Sequence, residues 1–317
     1  MRVFVAGASG AIGKRLVPRL VAGGYEVVAM TRSPRHSDAL RAAGAEPVVA
    51  DALDRAAVIR AVTDTQPEIV IHELTALTGA ANLKRFDDVF AMTNRLRTAG
   101  TDNLLAAAQA AGARRFIAQS YGNWNYAPTG PQTKPKTEED ALDPNPPRSQ
   151  RQSLAAIRHL EDAVLDAHAG GIEGIVLRYG NLYGPATSTA ADGEMVAVMR
   201  KRMLPIIGDG AGVWSFLHVD DATTATTAAI TRGAPGIYNV CDDDPAPARI
   251  WVPALAQAVG APSPLHVPVW LGRLLAGEAL VSMMTRMRGA SNAKAKRELG
   301  WTPQFATWRE GFKTGLG

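Results

Sequence analysis

Val3-Phe-Val-Ala-Gly7-Ala-Ser9-Gly10-Ala11-Ile12-Gly13 stands close to the start of the chain. Its apolar residues read as a strand buried on both faces, and three glycines at three-residue intervals follow at once. The first glycine permits a tight turn. The second lets backbone approach a pyrophosphate, and the third lets a helix pack close to the sheet. A helix at about Ile12–Ala22 would turn unbonded N–H groups toward phosphate. The stretch therefore predicts the first βαβ turn of a dinucleotide-binding fold, with Gly7, Ser9, Gly10, Ala11, Ile12 and Gly13 around the cofactor.

The alternation continues outward from this loop. Strand-like runs at Val27–Met30, Pro47–Val49, Ile69–His72, Phe116–Gln119 and Ile175–Arg178 are separated by Ala/Leu-rich runs at His36–Ala43, Arg55–Thr63, Thr93–Ala111 and Leu154–Ala169. This pattern predicts an α/β fold, a Rossmann-type doubly wound parallel sheet. After Tyr183 the rhythm loosens, which predicts a smaller C-terminal substrate lobe. On this reading residues 1–180 and 213–240 form the cofactor domain, and residues 181–212 and 241–317 the lobe. Asn123–Gln152, with six prolines, reads as a long functional loop.

Composition narrows the class. A chain of 317 residues, 46% hydrophobic, can bury a large core, and 20% charged residues with a net charge of +4 do not describe a disordered chain. Lys and Arg outnumber Asp and Glu by only 34 to 30 with no dense basic block, so nucleic acid is not an expected partner. Cys241 is the only cysteine, which excludes a disulfide scaffold and fits a reducing, cytoplasmic setting. Arg273, Glu278 and Arg286 interrupt the apolar stretch Val267–Met287, and the start lacks the features of an export signal, so no membrane association is expected. No histidine or cysteine spacing suggests a metal site.

The end of the second strand speaks to the cofactor. A carboxylate there would hold the ribose hydroxyl of NAD. The chain instead has Met30-Thr-Arg32-Ser-Pro-Arg35, with no carboxylate before Asp38. Guanidinium groups pair with phosphate, so NADP is expected in preference to NAD, with Arg32 and Arg35 on its 2′-phosphate.

More motifs follow in order: Asp51-Ala52-Leu53-Asp54; Asn94 with Gly100-Thr-Asp-Asn103; Leu177-Arg-Tyr179-Gly180-Asn181-Leu182-Tyr183-Gly-Pro185; Phe216-Leu-His218-Val-Asp220-Asp221; Gly236-Ile-Tyr-Asn239; and Glu298-Leu-Gly-Trp301-Thr-Pro303. With the GxxGxxG loop, this series resembles the extended short-chain dehydrogenases of the NAD-dependent epimerase/dehydratase type over nearly the whole chain. The resemblance implies that Asp51, Ala52 and Leu53 lie near adenine. It places Leu74, Thr75 and Asn94 along the cofactor, and Tyr179, Gly180, Asn181 and Leu182 beside the nicotinamide. It also implies a homodimer through the helices near Thr93–Ala111 and Ser153–Ala169, with Leu104, Leu105, Leu154 and Leu160 on the seam.

The resemblance breaks at the chemistry. The family relies on a Ser or Thr and on a Tyr-xxx-Lys pair, whose phenol exchanges the proton. Phe116-Ile-Ala-Gln-Ser120-Tyr121 resembles the strand that carries the serine. Counting back from Glu161, however, puts Ser153 in the place of the tyrosine and Ile157 in that of the lysine. Ser120 and Tyr121 are therefore the expected catalytic residues. Trp124, Tyr183 and Trp214 are expected to wall the substrate pocket. Trp214 stands where nucleotide-sugar enzymes of this type commonly place an arginine, which argues for a small, fairly apolar molecule. The leading expectation is an NADP-dependent oxidoreductase acting on a carbonyl or alcohol. The alternatives are a non-redox epimerase, dehydratase or isomerase, and an NADP-sensing protein without turnover.

Overall fold

In the computed structural model, which describes residues 1–77 and 83–317, β1 (Arg2–Ala6) holds Val3, Phe4, Val5 and Ala6 entirely out of solvent. A strand with both faces buried must lie inside a sheet covered on both sides. It does: β1 pairs with β2 (Glu26–Thr31) and with β4 (Ile69–His72), in parallel on either side. β3 (Glu46–Val49), β5 (Arg115–Tyr121), β6 (Glu173–Tyr179) and Gly236–Val240 complete seven strands. Across the sheet the order is Gly236–Val240, β6, β5, β4, β1, β2, β3. The winding reverses between β1 and β4, and the crevice at the carboxyl ends of such strands is where doubly wound sheets take ligands.

The helices follow from the apolar stripes. α1 (Gly13–Ala22) and the later helix Val219–Ala229 cover one face, over Val3, Val5, Ile71, Ile117 and Leu177. α2 (Ser37–Ala42) links β2 to β3. α3 (Arg55–Thr63), two further helices and Leu160 with Val164 cover the other face, over Phe4, Val28, Val70, Phe116 and Val176. A second core gathers Trp214, Phe216, Trp251, Met284, Trp308 and Phe312, and Phe86 joins it from the first half of the chain. The loop from Asn123 is pinned to this region: Asn123 exchanges two hydrogen bonds with the backbone of Ser215, and Lys136 N–H donates to Gly289.

One expected helix is not continuous. After the short helix α4 (Phe86–Val89), the run expected over Thr93–Ala111 is divided among the end of α5 (Ala91–Arg95), a π-wound stretch Leu96–Gly100 and α6 (Thr101–Ala110). π-wound turns inside helices shift the side chains that follow and are frequent at functional sites. α7 (Arg151–Asp166) packs beside them. Of the four leucines expected on a dimer seam, Leu104, Leu154 and Leu160 are buried within this chain, and Leu105 is partly exposed. Leu104 and Leu160 pack under the sheet, because those helix stripes are what covers it. No helix among the described residues is long and apolar enough to cross a membrane.

Candidate active site

A cleft of about 760 Å³ opens along the carboxyl ends of the strands. At its start the glycine loop behaves as its spacing requires. Gly7 takes φ +95°, and a Cβ at Gly13 would lie 2.3 Å from the Gly7 carbonyl, so the loop folds onto the helix only without side chains at these points. The first turn of α1 has no side-chain cap. The N–H groups of Lys14 and Arg15 are bonded back to Gly10 and Ile12, while those of Ala11, Ile12 and Gly13 at the loop–helix junction have no bond among the described residues, and with the bare loop they make a cradle that fits a pyrophosphate. Gly7, Ser9, Gly10, Ala11 and Ile12 border the cleft, and Gly13 sits behind them as the packing glycine.

Further along, Arg32 borders the cleft at the end of β2, with Asp51, Ala52 and Leu53 beside it. The Asp51 carboxylate accepts from the Leu53 N–H at 2.9 Å, and Asn103 donates to the Ala52 carbonyl, which fixes this wall. Arg35 lies in an exposed turn off the cleft, so Arg32 alone of the two arginines borders it. Leu74, Thr75, Tyr179, Gly180, Asn181 and Leu182 continue the wall at the ends of β4 and β6.

Asn94, expected along the cofactor, does not border the cleft. Its Nδ2 donates to the Ser153 hydroxyl at 3.0 Å. Ser153 in turn donates to Asp87 at 2.6 Å, and the same carboxylate accepts the N–H groups of Gln152 and Ser153. Asp87 thus caps α7 from a distant segment, satisfying N–H groups that a helix start leaves free. Ser153 and Ile157 are both fully buried. The two positions that the sequence resemblance assigned to the family's tyrosine and lysine serve helix capping and core packing in this chain.

The two expected catalytic residues part company. Adjacent strand residues face opposite sides of a sheet. Ser120 faces α7, where its hydroxyl donates to Glu161 at 2.7 Å. Glu161 also accepts two bonds from Arg178, at 2.8 and 2.6 Å, and this ion pair is buried. Ser120 therefore belongs to a structural network and not to the cleft. Gln119 and Tyr121 face the cleft. The Tyr121 hydroxyl donates to Asn181 Oδ1, and burial pushes its pKa well above the ordinary phenol range. It is a bound, reluctant acid.

Glu73 was not singled out in the sequence. It borders the cleft, accepts from Tyr179 at 2.9 Å and has a second carboxyl oxygen without a partner among the described residues. Burial pushes its pKa up to about 8, against the bonds from Tyr179 and Thr226. It is a carboxylic acid at neutral pH. A carboxylate immediately after the apolar run Ile69–His72 was the available signal.

The far end of the cleft is aromatic. Trp124 and Trp214 border it as expected, together with Phe86, Phe90, Phe216 and Trp251. Phe86 stacks on Phe90, and Trp124 meets the edge of Phe86. Tyr183 does not reach this pocket. It is sealed against Phe216, His218 and Phe312 in the second core, because neighbours on a strand face opposite sides and its strand pairs with Phe216–His218. His218 caps the following helix and bonds the Gly315 carbonyl, a structural role.

Comparison with known proteins agrees with this geometry. Residues 3–241 match the model of the NAD dependent epimerase/dehydratase family. A 3-diazoavenalumate denitrifying reductase from Streptomyces is 46% identical over 98% of this chain and 99% of its own length. A 4-hydroxy-2-methyl-3-oxo-4-farnesyl-3,4-dihydroquinoline-1-oxide ketoreductase from Stigmatella aurantiaca is 27% identical over 95% and 92%. Among solved structures, UDP-glucose 4-epimerase of Thermus thermophilus in complex with NAD superposes with a TM-score of 0.76 at 25% identity, covering all of this chain and 98% of that one. The strand order, the glycine cradle and the match over most of the length lead to one conclusion: the chain belongs to the NAD-dependent epimerase/dehydratase family, as an NAD(P)-dependent oxidoreductase or epimerase/dehydratase.

Proposed function

We propose that this protein is an NADP-dependent reductase of an apolar aryl substrate whose electrophilic centre takes up hydride without a proton from the enzyme, an aryl diazonium being the class that fits. The observation that carries this reading is the fate of the acid. Ser153 and Ile157 are buried and occupied, Ser120 faces away, and Tyr121 holds its proton on Asn181. Reduction of a carbonyl needs a proton on oxygen. Reductive loss of a diazonium group does not: one hydride is consumed, the C–N bond breaks, a C–H bond forms and dinitrogen leaves. The likeness to a denitrifying reductase supports the same class.

A bound reduced nicotinamide supplies the hydride. The chain's own residues bind and exclude. The glycine loop and the α1 N-terminus would hold the pyrophosphate, and Arg32 the 2′-phosphate, with no carboxylate at the end of β2 to favour NAD. Trp124, Phe86 and Trp214 offer flat apolar faces to an aryl ring and keep water from it. Glu73, its pKa raised by burial, would add little negative charge to a cleft that takes an anionic cofactor.

A second reading, ketone reduction, has its own observation: the Tyr121 hydroxyl borders the cleft, and a ketoreductase is among the relatives. Incubating the protein and NADPH with an aryl diazonium and with aryl ketones of the same skeleton separates the two. The proposal expects arene and dinitrogen in equal amounts with NADPH consumed, above the enzyme-free rate. Ketone reduction with an inert diazonium would contradict it.

A further inference from the structure

Arg97 lies in the π-wound stretch Leu96–Gly100 and is more than nine-tenths buried. It borders the cleft near Tyr121, whose ring stands 6.1 Å from that of Trp124. No hydrogen bond or ion pair holds its guanidinium among the described residues. Glu161, the carboxylate whose charge bears on it, has both oxygens engaged by Arg178 and Ser120. Burial lowers the Arg97 pKa to about 10, so the group stays cationic at neutral pH. A desolvated cation without a bonded partner is destabilising unless a ligand completes it.

Its position separates it from the phosphate sites. The pyrophosphate cradle is at the end of β1 and Arg32 at the end of β2, whereas Tyr121 closes β5, two strands away from β1 on the opposite side from β2. Among the described residues, Arg32 and Arg97 are the two cations that border the cleft, and Tyr121, which leads on to Trp124 and the aromatic wall, is close enough to Arg97 for their charges to bear on each other. We propose that Arg97 is the anchor for an oxyanion, a carboxylate or phenolate, carried by an otherwise apolar aryl substrate. The planar fork of arginine takes such an oxyanion through paired N–H donors, and the aromatic wall takes the remainder. This rests on the reading of the cleft as an aryl-substrate site, but not on the diazonium chemistry.

The test is calorimetric titration of the NADP⁺-saturated protein with cinnamate, para-nitrophenolate and neutral cinnamyl alcohol, none of which depends on turnover. The wild type is expected to bind at least one of the two anions about 10- to 100-fold more tightly than the alcohol, and the preferred anion distinguishes carboxylate from phenolate. R97M should abolish that preference with NADP⁺ affinity unchanged, and R97K, which keeps the charge and loses the fork, should fall between. R97M should also melt at or above the wild-type temperature. A wild type that does not prefer either anion, an R97M variant that keeps the preference, or a variant that loses NADP⁺ binding instead overturns the proposal. So does a marked fall in the melting temperature of R97M, which would make Arg97 a structural partner of Glu161. Anion preference without reduction of any diazonium would keep the anchor and reject the proposed reaction.

Discussion

The Ser153 hydroxyl donates to Asp87 Oδ1 at 2.6 Å while it accepts from Asn94, and Ile157, one helical turn on, is fully buried. Introducing the family pair through Ser153→Tyr and Ile157→Lys therefore does not restore a working site. The Ile157→Lys change alone should cost about 3 kcal/mol or more, the scale of an uncompensated buried charge. Urea unfolding of Ile157→Lys and of the double variant, with Ser153→Tyr, measures this. A stable double variant that gains ketone reductase activity would show that these positions still address the cleft.

Ser120 should matter to stability and not to turnover. Removing its hydroxyl leaves Glu161 both bonds from Arg178, so Ser120→Ala should cost about 1–2 kcal/mol with kcat unchanged. Glu161→Gln breaks the buried pair and should cost about 3–5 kcal/mol. Denaturant melts beside kinetics decide it, and a large loss of kcat in Ser120→Ala at unchanged stability would return the serine to the mechanism.

Glu73 sets a pH dependence. Its pKa is raised from the ordinary 4.5 to about 8, so between those values the folded state keeps a proton that the unfolded state has lost. Stability therefore falls as pH rises through that window, at up to about 1.4 kcal/mol per pH unit from this group. His72, lowered to about 4 by burial, acts in the opposite sense below its ordinary 6.5. Asp242, also raised to about 8, acts in the same sense as Glu73. The difference between wild type and Glu73→Gln isolates the one group: the variant should gain relative stability steadily toward pH 8. NADPH affinity should also weaken above pH 8 in the wild type and not in the variant. A constant difference across the range would mean that Glu73 titrates normally.

Arg32 should carry the choice of cofactor. Arg32→Ala is expected to weaken NADPH by about tenfold, the scale of one lost charge-assisted contact, and to leave NADH unaffected. Equal affinity of the wild type for both cofactors, read by calorimetry, would contradict the assignment.

The glycine loop was legible because everything it does is local: Gly7 and Gly13 meet within one turn, and their spacing states the geometry. The sheet was legible for the same reason, since runs such as Ile69–His72 alternate with helices of the right length. The active-site errors came from direction and not from position. Ser120 and Tyr121 are neighbours on one strand, so they could not both face the cleft, and the period of two would have said so. Tyr183 directly follows Leu182, which does border the cleft, but its strand pairs with Phe216–His218 and carries it into the second core. Arg97 had a signal that went unread. Thr93, Leu96, Arg97, Gly100, Thr101 and Leu104 form one buried helical stripe, and an arginine on that stripe needs a partner. The capping of α7 by Asp87 was not legible at all, because it joins segments 65 residues apart.

The most direct test of the account follows the hydrogen. NADPH deuterated at the position it transfers is incubated with the protein and an aryl diazonium carboxylate in ordinary water, and the arene is examined by mass spectrometry. Hydride transfer to the diazonium carbon puts deuterium at the carbon that carried nitrogen and releases one dinitrogen per NADPH consumed, with no requirement for an enzyme proton. Arene that carries only solvent hydrogen, or deuterium found only in an alcohol formed from a ketone substrate, would contradict it.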